Sequence, residues 1–219
     1  IVGGHTASGY WIDVRRATTL PGLFAAGDVA GGCPQKYVTG CFAEGEMAAL
    51  AALQYIEDRG APQPDRVDID QHRQAIDRYL TAEPGPYSVE ELEEAMQTAM
   101  DEYAGGLSVG YGYSAAKLTI ADRRLQELLA LSQKLRAADL HELMLIQELI
   151  DRLYVGRTLI QHLKARQETR WHAFQENLDY PAKDDEHWLR YVNSRLVDGR
   201  ITIITRNLIT KDEIYEHKD

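Results

Sequence analysis

The second half of the chain carries apolar residues at the three- and four-residue steps of amphipathic helices. Ser88 and Glu91 have the spacing of a capping box, which predicts a helix from Ser88 to about Tyr103. A second helix is predicted over Lys117–Ala137. A third is predicted to begin after the capping residue Asp139 and to end within 165–171. The apolar positions predicted to form the core of the last two are Leu125, Leu128, Leu129, Leu131, Leu135, Leu140, Leu143, Ile146, Leu149, Ile150, Leu153, Leu159, Ile160 and Leu163.

The first part of the chain has a different pattern, with many small residues and few charges. Short apolar runs predict strands at Tyr10–Val14 and Leu23–Ala26, the second of them ended by a Gly-Asp pair. An alanine-rich stretch predicts a helix over Cys41–Ile56. Because its side chains are small, this helix is expected to pack closely, most simply against a sheet.

These patterns predict a mostly α protein: a C-terminal bundle of about three long helices, preceded by a small α/β segment. The second and third helices are joined by a short turn, so they are expected to run antiparallel. We expect a first domain over residues 1–60 and a linker over 61–87. The linker holds a short helix, Gln71–Leu80, between Gly- and Pro-rich stretches. The helical domain then covers 88–219, with an irregular tail in which Arg200–Thr205 is a candidate strand.

Charge and cysteine content narrow the possible functions. Thirty-four acidic residues against 24 basic ones give a net charge of −10, which argues against nucleic-acid binding but leaves room for a small anionic substrate. The two cysteines form neither a disulfide framework nor a metal site, and a reduced cytoplasm is the simplest setting. We find no signal peptide, and no apolar run reaches the roughly 18 residues of a membrane span.

The stretch with the clearest candidate chemistry is residues 18–32, TTLPGLFAAGDVAGG. Here a short apolar strand would deliver Gly27 and Asp28 to its carboxyl end, where open α/β sheets bind their ligands. A carboxylate at that place can accept hydrogen bonds from sugar-like hydroxyls. The alternative from the residues alone is an ordinary capped turn, and the two interpretations stay open.

The run Leu20–Asp28 resembles the second FAD-binding signature of the flavoproteins that include succinate dehydrogenase, fumarate reductase, L-aspartate oxidase and the adenylylsulfate reductase alpha subunit. The resemblance implies that Asp28, beside Gly27, bonds the ribityl chain of FAD. The following segment, KYVTGCFAEGEMAA, resembles the family's turn before a long helix. It implies that the backbones of Thr39, Gly40, Cys41 and Phe42 face the pyrimidine end of the flavin, where a helix N-terminus stabilises negative charge.

The same resemblance suggests two catalytic residues, each with a structural alternative. Lys36 stands where many relatives carry a substrate-binding Arg, and the Lys is more typical of the adenylylsulfate reductase branch; otherwise it is a surface lysine. His5 resembles a His that contacts substrate in the dicarboxylate enzymes; otherwise it is a structural histidine. Farther along, 165–171 and 179–188 resemble the segments that close the family's helical domain. There Arg166 and Arg170 are predicted to share a helix face that holds the bundle to the flavin domain or to a partner subunit, or that binds an anion.

The resemblance therefore implies the C-terminal part of an FAD-dependent oxidoreductase subunit, most similar to the adenylylsulfate reductase alpha subunit. The Gly-rich pyrophosphate motif of the family is absent from these residues, so we expect the fragment alone to lose most of its FAD and to be inactive. The family implies an iron–sulfur electron-transfer subunit as partner. The alternatives are a fumarate reductase or succinate dehydrogenase flavoprotein subunit, or a non-catalytic helical interaction module.

Overall fold

The computed structural model describes residues 8–32, 37–60, 66–170, 174–210 and 213–217. The chain divides into two compact units. One consists of Ile1–Pro64 and Ile209–Asp219, and the other of Asp65–Leu208. Helices predominate and the sheets are small, which confirms the predicted mostly α fold class. The functional division at residues 60 and 87 stays a prediction.

Three long helices form the body of the larger unit: α3 (Val89–Tyr103), α4 (Ala115–Ser132) and α5 (Leu140–Ala165). All three pack against one another. Each helix begins at a side-chain cap. The Ser88 side chain accepts a hydrogen bond from Glu91 N in a full capping box at the start of α3. The side chains of Ser114 and Asp139 each accept a hydrogen bond from the backbone N–H three residues later. The predicted bundle is confirmed, although α4 begins and ends a few residues earlier than the predicted Lys117–Ala137.

The bundle core is apolar, and most of the predicted positions contribute to it. Leu140 and Leu159 do not, since they are 74% and 44% exposed at the outer surface of α5. Leu129, Leu131, Ile150 and Leu163 are half-buried at its margin. The buried predicted residues are Leu125, Leu128, Leu135, Leu143, Ile146, Leu149, Leu153 and Ile160.

Helix α2 belongs to this larger unit and runs over Arg66–Thr81, five residues longer at its start than the predicted Gln71–Leu80. Its Tyr79 is buried, and the Tyr79 carbonyl accepts from Ala137 N at 2.8 Å in the connection between α4 and α5. This bond and the buried ring anchor the helix to the bundle, although its other described side chains are largely exposed.

The larger unit also contains short strands. Strands β1 (Gly112–Tyr113) and β2 (Glu176–Asn177) pair in parallel, and the one-turn helix α6 (Asp185–Trp188) follows. An antiparallel hairpin then joins β3 (Arg190–Val197) to β4 (Arg200–Asn207) through a turn in which Asp198 and Gly199 both have positive φ. The predicted strand at Arg200–Thr205 is confirmed within β4. Its partner β3 was not predicted, because its sequence does not alternate clearly.

The smaller unit is built around helix α1 (Val38–Arg59), which starts three residues before the predicted Cys41. The two predicted strands before it are wrong as strands. Tyr10 pairs only with Ala30 in an isolated parallel bridge, and Phe24 only with Ala17 in an antiparallel one. Among the described residues these segments have no longer ladder to join, so each stays a single bridge. A single turn of 3₁₀ helix, Gly27–Val29, stands at the expected strand end.

The tail of the chain returns to this smaller unit. The backbone N–H of His217 donates to the Asp13 carboxylate at 3.1 Å, and Val14 N donates to the Tyr215 carbonyl at 3.0 Å. The Tyr215 ring stacks on Trp11 with ring centroids 6.0 Å apart. These contacts give residues 213–217 a defined place although they form no helix or strand. Over the described ranges, no helix has the length and apolar character needed to cross a membrane.

Candidate functional site

The centre of the candidate site is the contact between the Gly27–Val29 turn and the start of α1. Gly27 is buried and has a φ of +69°, a backbone conformation that residues other than glycine rarely adopt. A Cβ built at Gly27 would lie 3.0 Å from Cys41 Sγ and 3.2 Å from Cys41 Cβ. Only glycine therefore lets the turn come this close to the helix, and Asp28 follows it directly on the exposed side.

The amino end of α1 has the features of an anion-facing helix start. No side chain caps it within the described chain, and its first turn holds no acidic residue. The first N–H groups of a helix lack carbonyl partners inside the helix and carry partial positive charge. Thr39 and Phe42 are exposed and Gly40 and Cys41 half-buried. The expected backbone positions thus lie at the start of the helix rather than in a loop before it. Thr39 N and Gly40 N are among its first N–H groups, whereas Cys41 N already donates to the Tyr37 carbonyl at 2.8 Å.

Close backbone packing holds the turn from its other side. Tyr10 N donates to the Val29 carbonyl and Gly31 N to the Tyr10 carbonyl, both at 2.8 Å. A Cβ at Gly9 would lie 2.5 Å from the Val29 carbonyl oxygen, and a Cβ at Gly31 would lie 2.8 Å from the Tyr10 carbonyl oxygen. Gly9 and Gly31 therefore permit the close backbone contact between residues 9–10 and residues 29–31, and this contact holds the segment that carries Asp28 in place.

The two predicted catalytic residues, His5 and Lys36, lie outside the described residues. Their roles stay predictions. The structure places the other six predicted site residues on the turn or among the first five residues of α1: Gly27, Asp28, Thr39, Gly40, Cys41 and Phe42.

The prediction that Arg166 and Arg170 share a helix face is wrong, because α5 ends at Ala165 and Arg166 is its extended C-cap. The two side chains meet instead at the carboxylate of Glu168, which is 1% exposed. Arg166 donates to it at 2.5 Å, Arg170 at 2.7 and 2.9 Å, and the backbone N–H of Asp184 at 2.9 Å. Arg170 also pairs with Asp185 at 2.7 Å. The opposite charges of the cluster are paired with one another, so we interpret its role as structural.

Burial alone raises the pKa of Glu168, but the hydrogen bonds from Arg170, Asp184 N–H and Arg166 outweigh it and hold that pKa below its ordinary value. The neighbouring His162 has its pKa lowered, first by burial and then by the positive charge of Arg166. The sequence gives no local sign of this network, since its members are brought together by the chain's reversal after α5.

A second ionic contact without a local sequence signal joins Arg16 to the buried Glu44 of α1 at 3.1 Å. Two open surface grooves, of about 550 and 590 Å³, lie elsewhere. One lies between α3 and α4 and the other beside the middle of α1, and none of the six candidate residues lines either. Within the described ranges, no three His, Cys, Asp or Glu side chains are grouped to hold a metal ion.

No protein-family model matches the chain. Its sequence is 28% identical, over 195 residues, to the adenylylsulfate reductase subunit alpha of Megalodesulfovibrio gigas, a match that covers 83% of this chain and 29% of that subunit. It is 27% identical over 219 residues to the fumarate reductase flavoprotein subunit of Mycobacterium tuberculosis, covering 91% of this chain and 36% of that protein. The chain is homologous to these flavoprotein subunits.

Solved structures agree with this assignment. Adenylylsulfate reductase from Archaeoglobus fulgidus matches with a TM-score of 0.83 at 30% identity, over 93% of this chain and 34% of that one. Quinol fumarate reductase of E. coli shares the fold, with a TM-score of 0.75 at 19% identity over 97% of this chain and 38% of that one. The chain spans about a third of the length of these homologous subunits.

Proposed function

We propose that this chain forms the C-terminal part of an FAD-dependent oxidoreductase subunit of the adenylylsulfate reductase type. The observation that carries the proposal is the contact of Gly27 with Cys41, because it places the carboxylate-bearing turn beside the uncapped start of α1. Homology to flavoprotein subunits supports the cofactor class. Residues 1–60 then belong to the FAD-binding domain, 61–87 form the linker and 88–219 the helical domain.

The described residues fit one side of a flavin. Asp28 is exposed next to a buried glycine, so its carboxylate can accept hydrogen bonds from the ribityl hydroxyls. At the start of α1, the N–H groups of Thr39 and Gly40 would face the pyrimidine edge and stabilise negative charge there, while Cys41 N donates to the Tyr37 carbonyl inside the helix. The flavin, when bound, supplies the two-electron redox chemistry, while this part of the chain binds and orients it.

Adenylylsulfate is the substrate that the comparisons favour. The adenylylsulfate reductase structure matches at 30% identity and a TM-score of 0.83, against 19% and 0.75 for the fumarate reductase structure. We assign Lys36 to binding the anionic substrate and His5 to donating or accepting a proton near it, both on the family resemblance. An iron–sulfur subunit is the proposed electron-transfer partner, and cytoplasm the proposed location. The competing activity is fumarate reduction or succinate oxidation, which the Mycobacterium tuberculosis relative supports.

The test begins with the purified full-length subunit, which should absorb at about 450 nm and contain one flavin per chain. Asp28→Asn should lower the bound flavin while the helical circular dichroism stays unchanged. Glu46→Gln is the matched control, since Glu46 is an exposed carboxylate on α1 away from its first turn. Turnover with adenylylsulfate, or with sulfite plus AMP, should exceed turnover with fumarate or succinate.

The flavin measurement and the turnover measurement can each contradict the proposal. A full-length subunit without flavin would leave only a helical interaction module, and turnover confined to fumarate or succinate would replace the proposed substrate. The isolated 219 residues should retain little FAD and show no turnover. Stoichiometric flavin on them would contradict our view that the rest of the cofactor site lies in other parts of the subunit.

A further inference from the structure

Arg16 adopts a backbone conformation that is unusual for a residue with a side chain. Its φ is +65°, in the left-handed region that is strained for a residue other than glycine. Such strain persists only where surrounding contacts over-determine it, and it is concentrated near functional sites. The contacts of Arg16 therefore indicate what holds this residue in place.

The backbone of Arg16 is tied to the segment that leads into the Gly27 turn. The Arg16 carbonyl accepts from Ala25 N at 2.9 Å, two residues before Gly27, and Arg16 N donates to the Asp13 carbonyl at 3.1 Å. A shift of Arg16 would therefore be passed directly to the turn that carries Asp28.

The side chain of Arg16 reaches α1. Its Nε lies 3.1 Å from Glu44 Oε2, and its guanidinium donates to Met47 Sδ at 3.5 Å. Glu44 is 5% exposed and is the buried residue of α1 among its described positions. Because Glu44 follows Cys41 by three residues, the two lie on the same helix face. Arg16 thus contacts α1 at Glu44, one helical turn after Cys41, the residue that packs against Gly27.

Burial makes this ion pair unlike an exposed one. The side chains of Arg16 and Glu44 are 18% and 7% exposed, so water screens their attraction weakly. Within the described chain, Glu44 Oε2 and Arg16 Nε have no well-aligned hydrogen-bond partner, since their own contact meets the distance but not the angle of a hydrogen bond. Removing Arg16 would leave Glu44 buried without the charge of Arg16, whereas without Glu44 the Arg16 guanidinium would still donate to the Val14 carbonyl at 3.1 Å.

We propose that Arg16 is a positioning residue: acting through Glu44, it sets the spacing between the Gly27–Asp28 turn and the first turn of α1. The backbone of one residue holds the turn and its side chain holds the helix, so the two halves of the candidate flavin site move as one body. This inference rests on the proposed function for its consequence at the flavin. The spacing itself can be measured without any cofactor.

The cofactor-free test follows the thiol of Cys41, which is covered by Gly27. N-ethylmaleimide labelling of the full-length apo-subunit, read by tryptic mass spectrometry, isolates it, because the peptide Tyr37–Arg59 contains Cys41 and not Cys33. Arg16→Ala and Glu44→Gln should raise the labelling rate of Cys41 by about 5- to 30-fold, the range expected when one or two kcal/mol of closure is lost. Arg15→Ala is the matched control, since the Arg15 side chain is exposed and forms an ion pair with Glu216 at the surface.

Arg16→Gly separates the side chain from the backbone. Glycine adopts the positive φ without strain but cannot reach Glu44. We expect Arg16→Gly to label as fast as Arg16→Ala, and Arg16→Lys to restore part of the protection. Unchanged labelling in Arg16→Gly would overturn the proposal, because it would show that the backbone alone sets the spacing.

The flavin readout addresses function. In the full-length holo-subunit, Arg16→Ala and Glu44→Gln should shift the flavin absorption maximum and its reduction potential, and Arg16→Lys should return both toward wild type. Flavin that binds normally with an unshifted potential in both variants would overturn the positioning role while leaving the proposed function intact. A wild-type subunit without flavin would overturn the proposed function instead, and the labelling test would still decide whether Arg16 holds the spacing.

Discussion

Gly27 and Cys41 are 14 positions apart in sequence, and the glycine backbone rests directly against the cysteine side chain. A Cβ placed at position 27 would approach Cys41 Sγ to 3.0 Å, which is tighter than nine in ten real Cβ contacts. Gly32 provides a natural comparison, because it has a similar φ of +80° but, beyond its chain neighbours, no atom of the described residues lies within 4 Å of the corresponding Cβ. The two glycines therefore separate the cost of the backbone conformation from the cost of steric overlap.

We predict that Gly27→Ala will reduce FAD binding by the full-length subunit much more than Gly32→Ala. In both variants the left-handed backbone conformation should lower the free energy of unfolding by about 1–2 kcal/mol, but only Gly27→Ala also pushes the turn away from α1. Flavin per chain, from visible absorbance of the gel-filtered protein, measures the difference.

The double variant Gly27→Ala/Cys41→Ala should recover part of the flavin, because it removes the sulfur that the new methyl group would meet. Equal flavin loss in Gly27→Ala and Gly32→Ala would mean that the close approach to Cys41 has no role in the site.

Six residues could be assigned to the candidate site from the sequence because they follow one another in short runs with a family resemblance, and their roles at a flavin stay predictions. The sequence did not allow the Arg16–Glu44 contact to be predicted, since the two are 28 positions apart and neither belongs to a recognisable pattern. The predicted strands beside the site were wrong for a related reason. An apolar run such as Leu23–Ala26 shows burial, but a strand also needs a neighbour, and the described residues supply a single bridge.

Protonation of Glu168 should weaken the larger unit in acid. The pKa of Glu168 is held below its ordinary value of 4.5, so the folded state favours the carboxylate. Its stabilising contribution is therefore complete above about pH 4.5 and is lost as the pH falls through the lowered pKa. Glu168→Gln should cost about 3–5 kcal/mol at neutral pH, because two arginines lose a buried partner.

Urea unfolding between pH 3 and 7, in steps of roughly half a pH unit, would measure this difference. The gap between wild type and Glu168→Gln should narrow as the pH falls below about 4.5. Glu94→Gln is the control, since Glu94 is exposed on α3 and should change the unfolding free energy little at any pH. A constant gap across the whole pH range would show that the charge of Glu168 does not contribute.

The bundle could be predicted well because its signals are local. Caps at Ser88 and Asp139 and the spacing of leucines act within one or two turns, and the structure reproduces them. The chain after α5 could not be predicted in this way. There the fold depends on contacts between distant residues, such as Arg166 donating to the Trp188 carbonyl and the 213–217 tail returning to Asp13. No periodic pattern in the sequence reports such pairings.

Two helical glycines should respond in opposite directions to the same substitution. A Cβ at Gly156 in α5 would lie 2.8 Å from Leu125 Cδ2, and Leu125 is fully buried and cannot move aside freely. Gly156→Ala should therefore destabilise the bundle by about 1–3 kcal/mol. For Gly45 in α1, no atom of the described residues beyond the helix's own backbone lies within 4 Å of a Cβ, so Gly45→Ala should stabilise that helix by about 0.5–1 kcal/mol.

Hydrogen exchange of α5 in the first variant and of α1 in the second would measure each effect where it occurs. The double variant Gly156→Ala/Leu125→Val should regain part of the stability, since valine leaves room for the new methyl group. Stabilisation by Gly156→Ala alone would show that helix propensity outweighs the contact with Leu125.

The returning tail should protect the start of the smaller unit from hydrogen exchange. Val14 N is bonded to the Tyr215 carbonyl, and Asp13 accepts from His217 N with one oxygen and from Arg15 N and Ala17 N with the other. Removing residues 211–219 would break the first two bonds and uncover Trp11. Exchange of the peptide covering residues 10–16 should then rise by at least about tenfold, while α3, α4 and α5 stay protected. Glu216→Ala is the comparison, because its pair with Arg15 is exposed and should contribute little. If Glu216→Ala accelerates exchange as much as the truncation does, the surface ion pair rather than the buried Asp13 carboxylate fastens the tail.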